Sequence, residues 1–581
     1  MPKSDKARTS SIADETRPVL AGEFKLAMNH QENCPSPLAP FLPCALASFA
    51  PQAAGMSALA NLLNRLGAHS RWCALLLGAL AALGFEPLHL WPLTLLALAG
   101  LIELIARAGS WKQAALIGWL FGIGHFTIGN GWIATAFTYQ ANMPAWLGWI
   151  AVAALSLYLA VYPALAVFGA WRLFRANYGA LVCGFAATWI IAEWLRSWVF
   201  TGFVWNPLGM TALGTYSRPG LASLAPWLGT YALSGLVVLL AGAWLIAWHR
   251  RRIDWRGGAL IVLPAALMLM PGGSGAAARP GTIPFSLIQP NISQEVLNEP
   301  AEFENNFVQT ALPTMQRPPG ERLVLWPESG VQDYLRDGYP PSLYWDTTYG
   351  GDPALARGRL ARVAGKGGLL LTGAIDLEVG ARELTGARNV VTAIDSQGAI
   401  RGSYAKAHLV PYGEYLPMRA LLEPLGASRL VPGSIDFLSG PGPRTLDLGR
   451  FGKAGVQICY EIIFSGQVVD RNHRPDYIFN PSNDGWFGSW GPPQHLAQAR
   501  MRAIEEGLPV LRATTTGISA VIDAGGVVRQ HLGRGSAGRL DGMIPPARAP
   551  TLFAQAGNWL PLGWAAILLG LSLVASRRRR G

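Results

Sequence analysis

Leu228–Trp248 reads LGTYALSGLVVLLAGAWLIAW, twenty-one residues without one Asp, Glu, Lys, Arg or His, and His249-Arg250-Arg251-Arg252 closes it. A helix rises 1.5 Å per residue and the hydrocarbon core of a bilayer is about 30 Å thick, so about 20 apolar residues cross it. In lipid every backbone N–H and C=O must be satisfied within the segment, which makes this stretch a spanning helix. The same reading outward from it gives candidate spans at 71–86, 88–107, 113–136, 145–171, 178–199, 257–271 and 558–576, about eight in all. Of the 581 residues 51% are apolar and only 14% charged, against roughly 25% charged in soluble chains. That deficit is concentrated between Arg71 and Pro271, and from Gly272 to Gly557 the chain reads as a soluble domain.

The basic residues give orientation. Arg65 and Arg71 precede the first span, Arg107 and Lys112 follow the second, Arg172 and Arg175 the fourth, Arg250, Arg251, Arg252 and Arg256 the sixth, and Arg577 to Arg580 the last. With eight spans all of these fall on one side, while the alternate loops 137–144 and 200–227 hold only Arg218. The positive-inside rule then places both termini in the cytoplasm and the 272–557 domain outside, in the periplasm if the membrane is a bacterial inner membrane. The net charge of +12 is thereby assigned to membrane topology and not to a nucleic-acid partner. Glu193 and Arg196, one helical turn apart in a span, read as a structural ion pair, although ionisable residues inside spans are functional by default and a transporter is the alternative they raise. The expected layout is a disordered extension over 1–55, interrupted by Pro35, Pro37, Pro40, Pro43 and Pro51; a seven-span bundle over 56–271; the external domain over 272–557; and a final span with a basic tail over 558–581. Met56 is a second candidate start.

The external domain alternates short apolar runs with helical segments. Leu323–Trp326 runs into Pro327-Glu328-Ser329, Leu369–Leu371 into Thr372-Gly373, and Asn389–Ile394 into the turn Asp395–Gly398; Val456–Ile458 leads to Cys459-Tyr460-Glu461, Tyr477–Phe479 to Asn480-Pro481-Ser482-Asn483, Gly517–Ile522 to Asp523-Ala524-Gly525-Gly526, and Gln494–Glu506 reads as a helix. This is an α/β pattern with polar side chains gathered at strand ends. Three of those side chains suit nucleophilic chemistry. Cys459 is the one cysteine of this domain, the others being Cys34, Cys44, Cys73 and Cys183, so no disulfide can form within it. A thiol attacks as thiolate and needs a base or a nearby cation. Glu328 can take the proton, and Lys406 can stabilise thiolate and oxyanion. Taken singly, each also fits a bland role: a buried apolar filler, a solvated loop lysine, a turn glutamate.

The local motifs say more together. Trp326-Pro327-Glu328, Lys406-Ala407-His408-Leu409-Val410-Pro411-Tyr412-Gly413-Glu414, Ile458-Cys459-Tyr460-Glu461 and Ser482-Asn483-Asp484-Gly485-Trp486-Phe487-Gly488 resemble the nitrilase superfamily with its Glu–Lys–Cys triad. With Gln494-His495, Arg500-Met501-Arg502-Ala503, Gly84-Phe85-Glu86-Pro87, Ala192-Glu193-Trp194-Leu195-Arg196 and Thr201-Gly202-Phe203, the chain from about residue 71 to its C-terminus resembles the apolipoprotein N-acyltransferase family. It departs from that pattern at Ser293 and Asn298, where the family usually has Pro and Trp.

The resemblance implies an αββα sandwich carried on a bundle of about eight spans, with Glu328 as general base, Lys406 as oxyanion and thiolate stabiliser, and Cys459 as nucleophile. It implies supporting roles for Glu414, Tyr460 and Glu461. It further implies a multi-pass inner-membrane enzyme, acting as a monomer, that takes an acyl chain from a phospholipid donor through a thioester and passes it to the α-amino group of a diacylglyceryl-cysteine apolipoprotein. A thioester destined for an amine must be shielded from water. Leu421 and Leu422 in one segment, and Trp486 and Phe487 in another, are the candidate lipid-contacting lids. Neither a metal nor another cofactor is expected, since His408, His473 and His495 lack ligand spacing; His408 reads as packing beside the Lys406 loop. The competing readings are a membrane-tethered amidase with water as acceptor and a non-catalytic transporter or scaffold.

Overall fold

The computed structural model describes residues 69–139, 144–175, 177–250, 254–272, 281–316, 320–380, 384–422, 424 and 436–577, with the side chains of 421 and 422 excepted. The expected 1–55 extension and the Met56 start lie outside the described residues.

Helices occupy the apolar segments: α1 Ser70–Ala82, α2 Trp91–Arg107, α3 Trp111–Gly129, the abutting pair α4 Leu147–Leu159 and α5 Val161–Phe174, α6 Tyr178–Arg196, α7 Ala225–Arg250, α8 Trp255–Met268 and, at the far end of the chain, α12 Trp559–Arg577. By length and composition, four stretches among the described residues can cross a membrane: Leu147–Phe174, Tyr178–Arg196, Leu221–Arg250 and Trp559–Arg577. Ser70–Ala82 and Trp255–Met268 are apolar but shorter. Several starts are capped as their sequences require: the Ser110, Asn177 and Asp254 side chains accept from the backbone N–H of Gln113, Ala180 and Gly257 at 3.3, 2.8 and 2.7 Å, which satisfies donors that a helix start leaves open. The C-terminal helix returns to the bundle. Asn177 Nδ2 donates to the Ala575 carbonyl at 3.2 Å and Ser572 Oγ to that of Ala180 at 2.5 Å, tying α12 to α6.

Residues 284–543 form two six-stranded sheets. The first has the order β12 (Gly538–Met543), β1 (Pro284–Gln289), β2 (Leu323–Leu325), β3 (Leu369–Val379), β4 (Leu384–Asp395), β5 (Ile400–Ala405). The second runs β11 (Val528–Leu532), β10 (Ser519–Ile522), β9 (Val510–Thr514), β8 (Tyr477–Ser482), β7 (Lys453–Val456), β6 (Thr445–Asp447). β1, β2 and β3 are parallel, as are β7, β8 and β9. Successive strand side chains face opposite ways, and the cores follow that alternation. Leu323 and Leu325, Leu369 and Leu371, Val391 and Ala393 meet Tyr477, Phe479, Leu511 and Ala513 between the sheets. Val324, Leu370, Val390 and Ile394 face outward onto α9 (Phe303–Met315) and α10 (Pro353–Ala364), where Ala311, Ala356, Leu360 and Val363 cover them. On the other side Ile478, Val510, Ala520 and Ile522 pack under α11 (Gly491–Glu506). The layers are therefore α, β, β, α. The expected runs became β2, β3, β4, β7, β8 and β10; β1, β5, β6, β9, β11 and β12 complete the sheets, β11 and β12 with surface-facing residues whose alternation is weak.

Helix α11 joins the sandwich to the bundle. Arg500 donates to the carbonyls of Gly214, Thr215 and Arg218. The α7 backbone breaks at Gly229, and the Thr230 N–H and hydroxyl beyond it both donate to Glu505 Oε1, at 2.7 and 2.6 Å. Arg502 Nη2 donates to the same hydroxyl at 2.6 Å. All of these side chains are buried, and Arg502 Nε stands 3.0 Å from Glu505 Oε2, so the seam between the two halves is a charge-paired polar network in a low-dielectric setting.

Candidate active site

The carboxyl end of β2 carries Glu328. Trp326 N–H continues the parallel ladder to the Leu371 carbonyl at 2.9 Å, and Gly373 N–H bonds the Pro327 carbonyl at 3.2 Å. A Cβ on Gly373 would stand 2.8 Å from Glu328 Cα and 2.7 Å from Ser329 N, so the close approach that sets Glu328 in place requires glycine there. Lys406 follows β5, and its N–H bonds the Asn389 carbonyl on β4 at 2.9 Å. Cys459 follows β7 and opens a short 3-10 turn, Cys459–Ile463, with φ at +50°. This left-handed conformation costs a non-glycine residue of order 1–3 kcal/mol and persists only where the surroundings impose it.

These three side chains are buried, at 7%, 2% and 5% exposure for Glu328, Lys406 and Cys459. Lys406 Nζ stands 3.0 Å from Glu414 Oε1 and 3.5 Å from Glu328 Oε1. Asn389 Nδ2 donates to both carboxylates, at 2.7 Å to Glu328 and 3.1 Å to Glu414. Asn483 N–H donates to Glu328 Oε2 at 2.8 Å, and Val410 N–H to Glu414 Oε2 at 2.8 Å. Burial acts against the Lys406 ammonium, but Glu414, Glu328 and then Cys459 outweigh it and hold the group charged above its usual range. Burial first, and the Glu328 charge second, push the Cys459 thiol up; Lys406 pulls the other way, Asp484 adds to the rise, and a hydrogen bond with Ser482 opposes it. Burial and the neighbouring Glu328 charge thus favour the thiol over the thiolate.

Glu461 stitches the two reactive loops together. Its Oε1 accepts from Ala407 N–H at 2.7 Å, His408 N–H at 3.2 Å and Tyr404 hydroxyl at 2.8 Å, and its Oε2 accepts from Ile458 N–H at 2.7 Å. Burial pushes this carboxyl up to about 7 against those hydrogen bonds and Lys406. His408 stacks on Phe464 at 4.3 Å between ring centres, and burial lowers it. Tyr460 hydroxyl reaches across to the Gly202 carbonyl in the helical half at 3.1 Å.

Behind Cys459 lies a second buried network. His495 Nε2 bonds the Cys459 carbonyl at 3.1 Å; a carbonyl only accepts, so Nε2 carries the proton. Burial, then Arg512, lower His495, and the neutral ring can accept at Nδ1 from Arg512 Nη2 at 3.0 Å. Asp484 takes Arg512 at 2.7 Å and Ser482 hydroxyl at 2.7 Å. Arg512 holds its carboxyl well below the usual range despite burial.

Of the residues picked from sequence, Glu328, Lys406, Cys459, Glu414, Tyr460 and Glu461 lie in this one cluster. Trp486 meets Tyr139 edge-on at 5.8 Å. Phe487 packs its ring between Trp132, Trp205 and His495 at 4.7, 5.6 and 5.4 Å, which fastens the segment to the helical half. The side chains of Leu421 and Leu422 lie outside the described residues. Glu193 and Arg196 do not make the expected ion pair within 4 Å. Glu193 Oε1 instead accepts from Trp189 Nε1 and Leu208 N–H, both at 2.9 Å, and Arg196 bonds loop carbonyls. Sequence reasoning passed over Asn389, Asp484 and Arg512; the signal for Asn389 was an amide flanked by Arg388 and the apolar Val390-Val391 in a run otherwise destined for the core.

Residues 77–243 match the family described as the apolipoprotein N-acyltransferase N-terminal domain, and residues 287–549 match the carbon-nitrogen hydrolase family. Among curated proteins, the chain is similar to the apolipoprotein N-acyltransferase of Rhodopseudomonas palustris, 36% identical over 536 residues and covering 87% of this chain and 95% of that one. It is similar to that of Bradyrhizobium diazoefficiens, 37% identical over 531 residues with 87% and 94% covered. The protein of the same name from Methylococcus capsulatus is 33% identical over 515 residues, with 87% and 95% covered.

Proposed function

The chain belongs to the apolipoprotein N-acyltransferase family, and from that premise we propose that its acyl transfer to lipoproteins runs through a thioester on Cys459. In the first half-reaction Glu328 takes the Sγ proton, Sγ bonds the ester carbonyl carbon of a phospholipid acyl chain, and the tetrahedral oxyanion collapses with loss of the glycerol oxygen. Glu328 returns its proton to that oxygen, and a lysophospholipid leaves. In the second, the α-amino nitrogen of a diacylglyceryl-cysteine attacks the thioester carbon and gives a proton to Glu328. The C–S bond breaks, and the thiolate recovers that proton. Lys406 supplies positive charge to the sulfur and to both oxyanions, and Glu414 holds Lys406 in place.

The observation carrying this reading is a buried Lys406 ammonium paired with Glu414 and Glu328, the two carboxylates bridged by Asn389 and the Cys459 thiol under the charge of Glu328 and Lys406, on the side of the sandwich sewn to the apolar helices. Burial there favours an amine over water as acceptor. The loop charges support about eight spans, with seven within 56–271 and the last at 558–581, both termini cytoplasmic and the 272–557 domain in the periplasm of an inner membrane. One chain contains every group the scheme uses, so we assign activity to the monomer.

Purified protein exposed briefly to phospholipid should gain the mass of one acyl chain, localised to Cys459 by peptide mapping and missing in Cys459→Ala. Adding a diacylated lipopeptide should move that mass to the peptide amine. Release of free fatty acid with no gain on the peptide would instead make the protein an amidase-like hydrolase.

A further inference from the structure

We propose that Arg196, inside the helical half, is a positioning residue that holds Cys459 in its reactive geometry through the 202–205 turn. The inference rests on Cys459 being the nucleophile. Arg196 is 2% exposed, and no carboxylate lies within 4 Å of it among the described residues. Its guanidinium lies over the Phe126 ring at 5.1 Å, and Nη1 donates to the Phe203 carbonyl at 3.2 Å and the Trp205 carbonyl at 3.0 Å. Taking a cation into such surroundings is costly, and two backbone carbonyls of one turn are what it gains there. The turn is pinned further by Gly202 N–H to the Val199 carbonyl and Phe203 N–H to the Arg196 carbonyl, and by Glu193 on Leu208 N–H just beyond it.

Both ends of that turn reach Cys459. From one, the Gly202 carbonyl accepts the Tyr460 hydroxyl at 3.1 Å, fixing the residue that follows the sulfur. From the other, Trp205 Nε1 donates to Gln494 Oε1 at 2.7 Å and its ring packs on His495 at 5.3 Å, whose Nε2–H holds the Cys459 carbonyl at 3.1 Å. The left-handed φ of Cys459 is therefore gripped on both sides by one turn that Arg196 fixes. Gly202 at φ +69° admits no substituent: a Cβ there would lie 2.4 Å from the Ser197 carbonyl oxygen and 3.2 Å from the Phe464 ring. Lysine cannot replace the planar fork of Arg196, because it offers a point charge and not donors fixed in a plane.

The test is single-turnover thioester formation by the full chain in detergent–phospholipid micelles, followed by intact mass over a range of phospholipid concentration. Arg196→Gln should lower the saturating rate by about tenfold or more, the scale of a displacement of about 1 Å at a reacting centre, and leave the half-saturating concentration unchanged. Arg196→Lys should fall between. Tyr460→Phe cuts the same linkage downstream, so the double variant should be no slower than the slower single one. A wild-type saturating rate in Arg196→Gln, a change in half-saturation alone, or effects that multiply in the double variant would overturn the proposal. Should Arg196→Gln not accumulate in folded form, Trp205→Phe carries the same expectation, since it keeps an aromatic ring and loses the N–H to Gln494. A wild-type protein that forms no thioester overturns the assignment of Cys459 itself; a thioester formed equally fast by wild type and variants overturns only the role of Arg196.

Discussion

Glu328→Gln should make Cys459 a better nucleophile toward a small alkylating agent and a worse one toward phospholipid. The thiol is pushed up by burial and then by the Glu328 charge, with Lys406 opposing. A unit charge at about 5 Å, across an interior of effective dielectric about 20, contributes about 3 kcal/mol, or about two pK units. Neutralising it with an isosteric amide should lower the thiol by about one to two units, the Lys406 charge being left less compensated. Intrinsic nucleophilicity falls with basicity at a Brønsted slope of about 0.4–0.5, so alkylation at pH 8 should quicken by about 3- to 10-fold. Acyl transfer loses its proton acceptor and should slow by about 10²- to 10⁴-fold. The assay is iodoacetamide labelling followed by intact mass from pH 7 to 10, beside phospholipid turnover on the same preparations. Alkylation at the wild-type rate or below would mean that the Glu328 charge does not face the sulfur, and retained acyl transfer would remove Glu328 as the base.

Lys406→Met should act with the opposite sign on the first readout, slowing both alkylation and transfer, the latter by at least about 10²-fold; faster alkylation would contradict the charge balance described. Glu414→Gln removes the 3.0 Å partner of Lys406 and should cost about 10- to 100-fold in turnover with phospholipid half-saturation unchanged, measured by steady-state kinetics. Phe487→Ala empties a slot between three rings and should destabilise the protein by about 2–4 kcal/mol, read as a lower melting temperature; an unchanged melt with altered phospholipid half-saturation would favour the lid role. Burial, against Arg336, pushes the Asp376 carboxyl up to about 6, above its unfolded value, so its ionisation penalty is absent below about pH 4, builds toward pH 6 and is complete above. Asp376→Asn should therefore melt higher than wild type by an amount equivalent to about 3 kcal/mol at pH 8 and about 1 kcal/mol at pH 4.5. A difference independent of pH would show that the carboxyl is not strained in this way.

The sequence carried the layers well because their period is simple. Leu323-Val324-Leu325 alternates between two cores, and the run at 228–248 has no Asp, Glu, Lys, Arg or His. Glu328 and Cys459 were legible because each stands where an apolar run ends, and Lys406 because of the motif that follows it. Asn389 was not, because it lies within β4 and its value comes from two carboxylates that arrive from 61 residues before it and 25 after. Glu193 and Arg196 were noticed, but their spacing suggested each other as partners. The backbone groups they bond belong to a turn whose path no periodicity encodes. The ring contacts of Phe487 were hidden for a related reason: Trp132 and Trp205 reach it from segments more than 280 residues away in the chain.

The final helix lies against α6, with Asn177 and Ser572 bonded to backbone carbonyls across the contact, so the polypeptide leaves the apolar bundle before β1 and re-enters it after β12. The sandwich is held like a bracket screwed down at both ends, with α11 as a third fixing. A swing of the whole body would have to pull out all three, which leaves loops and side chains as the parts free to move during turnover. On the proposed thioester scheme, both greasy reactants must then travel to a stationary sulfur.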